Sequence, residues 1–263
     1  AASKIGAVWM GLSPKFSRDE LRYLIGHSQP AVLIALDEYM GTDLVEMGLS
    51  FQNEFPAIRR FLSIGGNDRG VPEFSEYIAP LRPEWDAALD ARAGQVHPDD
   101  DVLLMYTSGS TGKPKGVLHT HRAVINNISV EVEHFGFDDT ARCLLHFPIN
   151  HVAADVELAY GALYAGAVLI LLDRFDPAVS LEIIERERVT HVGQVPAMYS
   201  MQAALPRFAT LDWSHVRAFI WGGSATPRRL LDLLEPIALR AGARLITGYG
   251  STELCGFVSY TAP

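Results

Sequence analysis

The string Tyr106-Thr107-Ser108-Gly109-Ser110-Thr111-Gly112-Lys113-Pro114-Lys115-Gly116-Val117 carries the reading of this chain. It packs hydroxyls, glycines and cations into one turn, directly after an apolar run at 102–106 that reads as a strand. Polyphosphate binding asks for this mixture. Glycine lets the backbone approach closely, hydroxyls and amides donate hydrogen bonds, and ammonium groups neutralise charge. A generic Gly/Ser stretch would read as a solvated linker followed by a surface lysine pair. The expected placement between a strand and a helix at 120–135, with both lysines included, favours a phosphate grip.

Two related motifs fail on spacing. A Walker loop reads Gly-x-x-x-x-Gly-Lys-Ser/Thr, but Thr107 stands at the first glycine position and Pro114 follows Lys113. A nucleophile elbow reads Gly-x-Ser-x-Gly, and Ser108 occupies its first glycine position.

Outward from the loop, apolar runs alternate with helical patterns. Residues 5–12 read as a strand ending at Ser13-Pro14. Ser17 can cap a helix through 19–26, with Glu20 as capping-box partner. A strand is expected at 31–36, a helix at 37–50 and a strand at 58–64. Pro72, Pro80, Pro83 and Pro98 punctuate 67–101, which reads as a covering segment and not a separate domain. Beyond the loop, strands are predicted at 144–147, 168–172, 191–195, 218–221 and 244–247, and helices at 155–164, 178–188 and 227–241. This rhythm predicts an α/β fold of layered, parallel-rich sheets covered by helices.

Composition narrows the function classes. The 263 residues are 48% hydrophobic and 20% charged, an ordinary globular balance. A net charge of −9 disfavours nucleic acid or an anionic membrane as partner, yet leaves a nucleotide-sized anion open. The longest apolar stretch, 160–172, is too short to span a bilayer, so no integral membrane segment is expected. Cys143 and Cys255 offer neither metal-ligand spacing nor a disulfide framework, and a reducing cytoplasm is the simplest setting. The first residue is not Met, and the chain is expected to be an excerpt of something longer.

The 107–116 loop resembles the signature of the adenylate-forming (AMP-binding) superfamily, which includes acyl-CoA synthetases, luciferases and peptide-synthetase adenylation domains. The resemblance implies that Thr107, Ser108, Gly109, Ser110, Thr111 and Gly112 hold the β- and γ-phosphates of ATP. Lys115 would be the basic member, with Lys113 at a variable position.

Downstream motifs follow in the family's order. Thr247-Gly248-Tyr249-Gly250-Ser251-Thr252-Glu253 resembles its Tyr-Gly-x-Thr-Glu motif. This implies Tyr249 near adenine, Thr252 on the α-phosphate and Glu253 as magnesium ligand. An aromatic face suits a purine, and a carboxylate suits a hard cation. As a Rossmann fingerprint the string fails, because Glu253 stands at the third glycine. Trp221-Gly222-Gly223-Ser224-Ala225-Thr226-Pro227 resembles the loop that lines adenine and the acyl group. Thr226 reads equally as a helix cap, with Pro227 at the first helical position, a reading that carries less weight for Gly222–Ser224. Phe147-Pro148-Ile149-Asn150-His151-Val152 matches a region with a Pro and then a His beside the carboxylate channel, which puts His151 at the acyl site. A lone His after a strand is as readily a turn residue. Asp155 reads as a helix starter. The peptide-synthetase form Phe-Asp-x-Ser is absent, which argues against an amino-acid substrate. His119 and His121 read as a polar helix start, Met198, Tyr199 and Met201 as core or pocket wall, and 182–188 as a solvated helix face.

The implied activity is acid:CoA ligation. A carboxylate attacks Mg·ATP to give an acyl-adenylate and pyrophosphate, and the thiol of coenzyme A then takes the acyl group. Lys115, His151, Thr252 and Glu253 are the implied catalytic residues; a small carboxylic acid, ATP, magnesium and coenzyme A are the implied partners. The family's Thr-Gly-Asp segment, hinge and C-terminal domain with a catalytic Lys find no match in 1–263. The chain is therefore expected to be a partial large domain, with a first α/β portion at 1–100 and the phosphate-loop and adenine/acyl portion at 101–263. It should bind nucleotide weakly and adenylate poorly. The alternatives are an adenylating enzyme that loads a carrier protein and a non-catalytic nucleotide-binding or scaffold relative.

Overall fold

Apolar runs in the second half of the chain pair into a six-stranded sheet in a computed structural model that describes residues 2–66, 69–79, 82, 84–107 and 112–261. Across the sheet run Val168–Leu171, Arg142–Leu145, His191–Gln194, Ala218–Trp221 and Arg244–Ser251, all parallel. Gly256–Tyr260 then adds antiparallel to Arg244–Ser251. The inner strands His191–Gln194 and Ala218–Trp221 are buried at every residue, as parallel strands covered on both faces must be.

Alternate residues point to opposite faces, and two cores result. Leu144, Val192, Phe219 and Trp221 face helices Pro177–Arg186, Pro196–Ala203 and Arg228–Ala241, packing with Leu181, Tyr199 and Leu234. Cys143, Leu145, Ala218 and Ile220 face the other way, against Phe135, Phe137 and Leu158. Fully burying each such Leu or Phe contributes about 1.5–3 kcal/mol, so these layers dominate the stability of the sheet.

The described chain falls into two compact units. One holds Ala1–Gly6, Leu12–Val96 and Ser108–Lys115; the other holds Ala7–Gly11, His97–Thr107 and Gly116–Pro263. In the first, Val32–Leu36 pairs parallel with Arg60–Ile64, and helices Arg18–Ser28 and Leu44–Glu54 pack beside Phe51 and Phe61. Ser17 and Glu20 form the expected capping box. The second carries the six-stranded sheet and a smaller sheet ordered Trp9–Met10, Asp101–Thr107, Lys115–Thr120.

Several expectations need correction. The 5–12 run is a 3-10 turn, Ala2–Ile5, followed by a strand of only Trp9–Met10, because Gly6 turns the chain with φ 69°. Residues 37–50 are not one helix. A tight hairpin, Glu38–Tyr39 against Thr42–Asp43, precedes Leu44–Glu54, with Met40 and Gly41 both at positive φ. Lys115–Thr120 is a strand, so the Gly-rich loop runs from strand to strand and not from strand to helix. Val117, Leu118 and Thr120 favour extended backbone, and Thr120 then caps His121–Phe135 by accepting the Ala123 N–H at 3.2 Å.

Wide π-helical turns span Ala153–Tyr160 before a short α-helix, Gly161–Ala165. Such turns are rare and concentrate near functional sites. The final parallel strand extends through the motif to Ser251, and Pro227 caps Arg228–Ala241 from outside instead of opening it. His119 lies on a buried strand face, not a polar helix start. Phe74–Ile78 and Glu84–Ala93 are helices within the 67–101 segment. Both cysteines are buried and free. Among the described residues, no helix is long and apolar enough to cross a membrane.

Candidate functional site

In sheet order the parallel strands number 2-1-3-4-5 by sequence, so the order reverses between Arg142–Leu145 and His191–Gln194. Ligands of open α/β sheets bind outside the carboxyl ends of the strands, near such a reversal. The motif segments of this unit leave the strands at that edge. His146 to His151 follows Leu145, Gly222–Ser224 follows Trp221, and Gly248 to Glu253 extends the strand that pairs Thr247 with Trp221.

Glycine at two of these positions follows from close packing. A Cβ on Gly222 would stand 2.4 Å from Phe257 Cζ, and one on Gly248 would stand 2.5 Å from the Ser259 carbonyl oxygen and 3.0 Å from the Phe257 ring. Phe257 thus locks the two loops side by side. Trp221 Nε1 donates to Thr226 Oγ1 at 2.6 Å and fixes the far end of 222–226, so Thr226 serves the loop and not the helix cap. Gly223, Ser224 and Ala225 are exposed along the rim.

Tyr249 projects from the Arg244–Ser251 strand with 66% of its surface exposed, a free aromatic face. Thr252 opens the short turn Thr252–Leu254, its side partly covered, and Glu253 beside it is exposed. Thr247 and Ser251 are half-buried within the strand, where Thr247 pairs through its backbone with Thr261.

His151 is exposed and its Nδ1 accepts the Ala153 N–H at 3.1 Å; surrounding chain still pushes its pKa below the ordinary imidazole value. Five residues upstream, His146 is buried between Phe147 and Phe175. Burial pushes its pKa down to about 4, which keeps it neutral. Asp155, read as a helix starter, is buried instead and accepts from Trp9 Nε1 at 3.2 Å; burial pushes its pKa up to about 7.

Of the phosphate loop, Ser108, Gly109, Ser110 and Thr111 lie outside the described residues. Thr107 ends its strand, Gly112 turns at φ 97°, and Lys115 opens the next strand exposed. Lys113 Nζ lies 5.6 Å from the Tyr23 ring centre, while Tyr23 Oη donates to the Pro114 carbonyl at 3.2 Å. Met198 and Tyr199 are core, and Met201 is half-exposed.

Residues that the motifs missed are Glu131, Glu157, Asn127 and Phe257. Glu131 sits at 1% exposure on the apolar stripe of its helix, with Val124, Ile128 and Phe135. A charged residue at that spacing was the available signal. Burial pushes Glu131 up to about 7 and Glu157 well above the ordinary carboxylate value, with the Glu131 charge adding to the Glu157 shift.

A surface pocket lined by Arg142, Arg186, Glu187, Arg188, Thr190 and His215 lies at the amino ends of the strands. That is the edge away from the motifs and from where such sheets bind ligands.

The AMP-binding enzyme family pattern matches residues 1–263. The chain is 31% identical over 268 residues to indoleacetate–CoA ligase of Aromatoleum aromaticum, covering 100% of this chain and 49% of that one. It is 31% identical over 255 residues to a long-chain-fatty-acid–CoA ligase of Mycobacterium tuberculosis, covering 97% of this chain and 47% of that one. The chain spans about half the length of the curated relatives it matches. In fold it is similar to an anthranilate CoA ligase crystallised with anthranoyl-AMP, with a TM-score of 0.85, 24% identity, and coverage of 99% of this chain and 48% of that one.

Proposed function

The chain belongs to the AMP-binding enzyme family, and on that premise we propose that it supplies the nucleotide-binding part of an ATP-dependent acid:CoA ligase. The convergence of Gly222 and Gly248 on Phe257, at the carboxyl edge of a parallel sheet, carries the reading.

The first step joins two anions, so charge neutralisation and alignment are what the protein must contribute. An acid carboxylate attacks the α-phosphorus, and pyrophosphate leaves. Lys115, Thr107, Ser108, Gly109, Ser110, Thr111 and Gly112 take the β- and γ-phosphates. Thr252 donates its hydroxyl to an α-phosphate oxygen, and the exposed Tyr249 ring stacks on adenine, flanked by Thr247, Gly248, Gly250 and Ser251. Gly222, Gly223 and Ser224 line the junction of adenine and acyl group, with His151 on the acyl side.

Among the described residues, no cluster of His, Cys, Asp or Glu could hold a metal by itself. Magnesium is suited to a single carboxylate beside a nucleotide, since it prefers one or two carboxylates plus phosphate oxygens and water. The exposed Glu253 would hold it, and the ion would supply positive charge along the phosphates. In the second step the coenzyme A thiol attacks the acyl carbonyl and AMP leaves. The substrate belongs to the carboxylic acids.

Residues 1–263 span about half the length of the relatives they match, and this stretch by itself should bind Mg·ATP yet adenylate poorly. ATP–pyrophosphate exchange with a panel of fatty and aryl acids tests this. Saturable Mg·ATP binding with weak exchange is expected. Vigorous exchange would overturn the expectation of poor adenylation, and absence of Mg·ATP binding would overturn the nucleotide reading.

A further inference from the structure

His119, Asn127 and Glu131 lie outside the motifs, and all of them grip the backbone that carries Thr252 and Glu253. The buried His119 ring places Nε2 2.7 Å from the Thr252 carbonyl oxygen, which makes Nε2 the protonated nitrogen. Asn127 Nδ2 donates to the Cys255 carbonyl at 2.9 Å and to Glu131 Oε1 at 2.9 Å. The same Glu131 oxygen accepts the Phe257 N–H at 2.9 Å. Between these contacts Gly256 runs at φ 131°, and a Cβ there would stand 2.5 Å from Glu131 Oε1 and 2.6 Å from Asn127 Nδ2. The fit leaves no slack.

The segment so gripped would not hold its shape alone. Its turn ends at Cys255, a non-glycine residue at φ 66°, a sparsely populated conformation that persists only when its surroundings impose it. The grip also has a cost. A carboxyl at 1% exposure, facing a second buried carboxyl on Glu157, is unfavourable where a leucine would fit the apolar stripe. What the carboxyl adds, and leucine cannot, is an acceptor for the Phe257 amide and an anchor for Asn127.

We infer that His119, Asn127 and Glu131 are positioning residues that hold the Thr252–Phe257 backbone so that the Thr252 hydroxyl and the Glu253 carboxylate meet the nucleotide and its cation. The inference rests on the proposed nucleotide site. The holding elements, Lys115–Thr120 and His121–Phe135, directly follow the phosphate loop in sequence, so one continuous stretch of chain contributes to both phosphate-binding motifs. Phe257 extends the effect to Gly222 and Gly248, whose loops pack on its ring.

The test compares E131L, E131Q and H119F with the wild-type chain. Amide hydrogen exchange is followed at 252–257, and dissociation constants are measured for Mg·ATP and for ATP with chelator. In E131L and H119F, exchange at 252–257 should accelerate by about tenfold or more while the inner strands keep their protection. Mg·ATP should weaken by about tenfold, the equivalent of one lost buried hydrogen bond, and chelated ATP much less. E131Q keeps an oxygen acceptor for Phe257 and should restore both readouts.

Where E131L fails to fold, N127A, which removes the Cys255 contact and leaves the helix intact, takes its place. Unchanged exchange at 252–257 overturns the inference. So does faster exchange with unaltered Mg·ATP affinity, an equal loss with and without magnesium, or an E131Q as impaired as E131L. A wild-type chain that binds no Mg·ATP overturns the nucleotide reading and the ligand half of this inference with it. The exchange profile decides the backbone grip in either case.

Discussion

Gly222 lies so close to Phe257 that a methyl group on its α-carbon would stand 2.4 Å from the ring. The contact joins the loop after one strand to the hairpin after the next. Gly222→Ala should therefore destabilise the chain by about 1–3 kcal/mol through overpacking and reduce Mg·ATP affinity as well. Phe257→Leu in the same chain should recover part of both losses. Urea midpoints and ligand titrations of the single and double variants check this; a fully stable Gly222→Ala would refute the packing argument.

The lysines of the phosphate loop should differ. Lys113 stands over the Tyr23 ring and already has an electrostatic partner, whereas Lys115 opens a strand exposed. Lys115→Ala should weaken Mg·ATP by about tenfold, with a smaller slope of affinity against salt, and Lys113→Ala should cost less. Equal losses, or a larger one for Lys113→Ala, would reverse the assignment.

Thr252 and Glu253 should separate by magnesium. Thr252→Val, which keeps shape and loses the hydroxyl, should weaken ATP binding by about 1–2 kcal/mol whether or not magnesium is present. Glu253→Gln should chiefly raise the magnesium concentration needed for half-maximal binding. A magnesium titration at fixed ATP reads both, and an unshifted magnesium requirement in Glu253→Gln would remove Glu253 from the cation site.

The buried carboxyls set a pH dependence. Burial pushes Glu131 up to about 7 from an unfolded value of 4.5, and Glu157 also upward. Between those values the folded chain keeps a proton that the unfolded chain has released, so stability falls as pH rises through the window and levels off above about 7. His146 and His191, pushed down to about 4 by burial, act oppositely, losing stability as pH falls below about 6.5. The difference between E131Q and wild type isolates the carboxyl. E131Q should gain stability relative to wild type at pH 8 by an amount of order 1–3 kcal/mol, and little at pH 5. Parallel unfolding curves at both pH values would contradict the burial argument.

The carboxyl-edge motifs were legible because each begins where an apolar run stops, and the alternation of strands with helices foretold the parallel sheet. What escaped notice depends on contacts distant in sequence. Lys115–Thr120 looks like the approach to a helix until His119 is seen facing inward to the Thr252 carbonyl. Gly256–Tyr260 gains strand character from its antiparallel pairing with Gly248–Ser251, and Phe257 gains its role from two glycines on other strands. The hairpin at 38–43 hid inside a helical pattern because Met40, a good helix former, adopts φ 51°. Glu131 was visible as a misplaced charge on an apolar stripe, but its partner in the fold was not.

The placement of the nucleotide at the carboxyl edge is tested most directly by the amide hydrogen-exchange footprint of Mg·ATP on the wild-type chain. Slower exchange is expected in peptides covering 106–116, 221–226 and 247–254, with no change around Arg142, Arg186 and His215 at the opposite edge. Protection confined to that basic pocket, or none at 221–226 and 247–254 under saturating ligand, would contradict it.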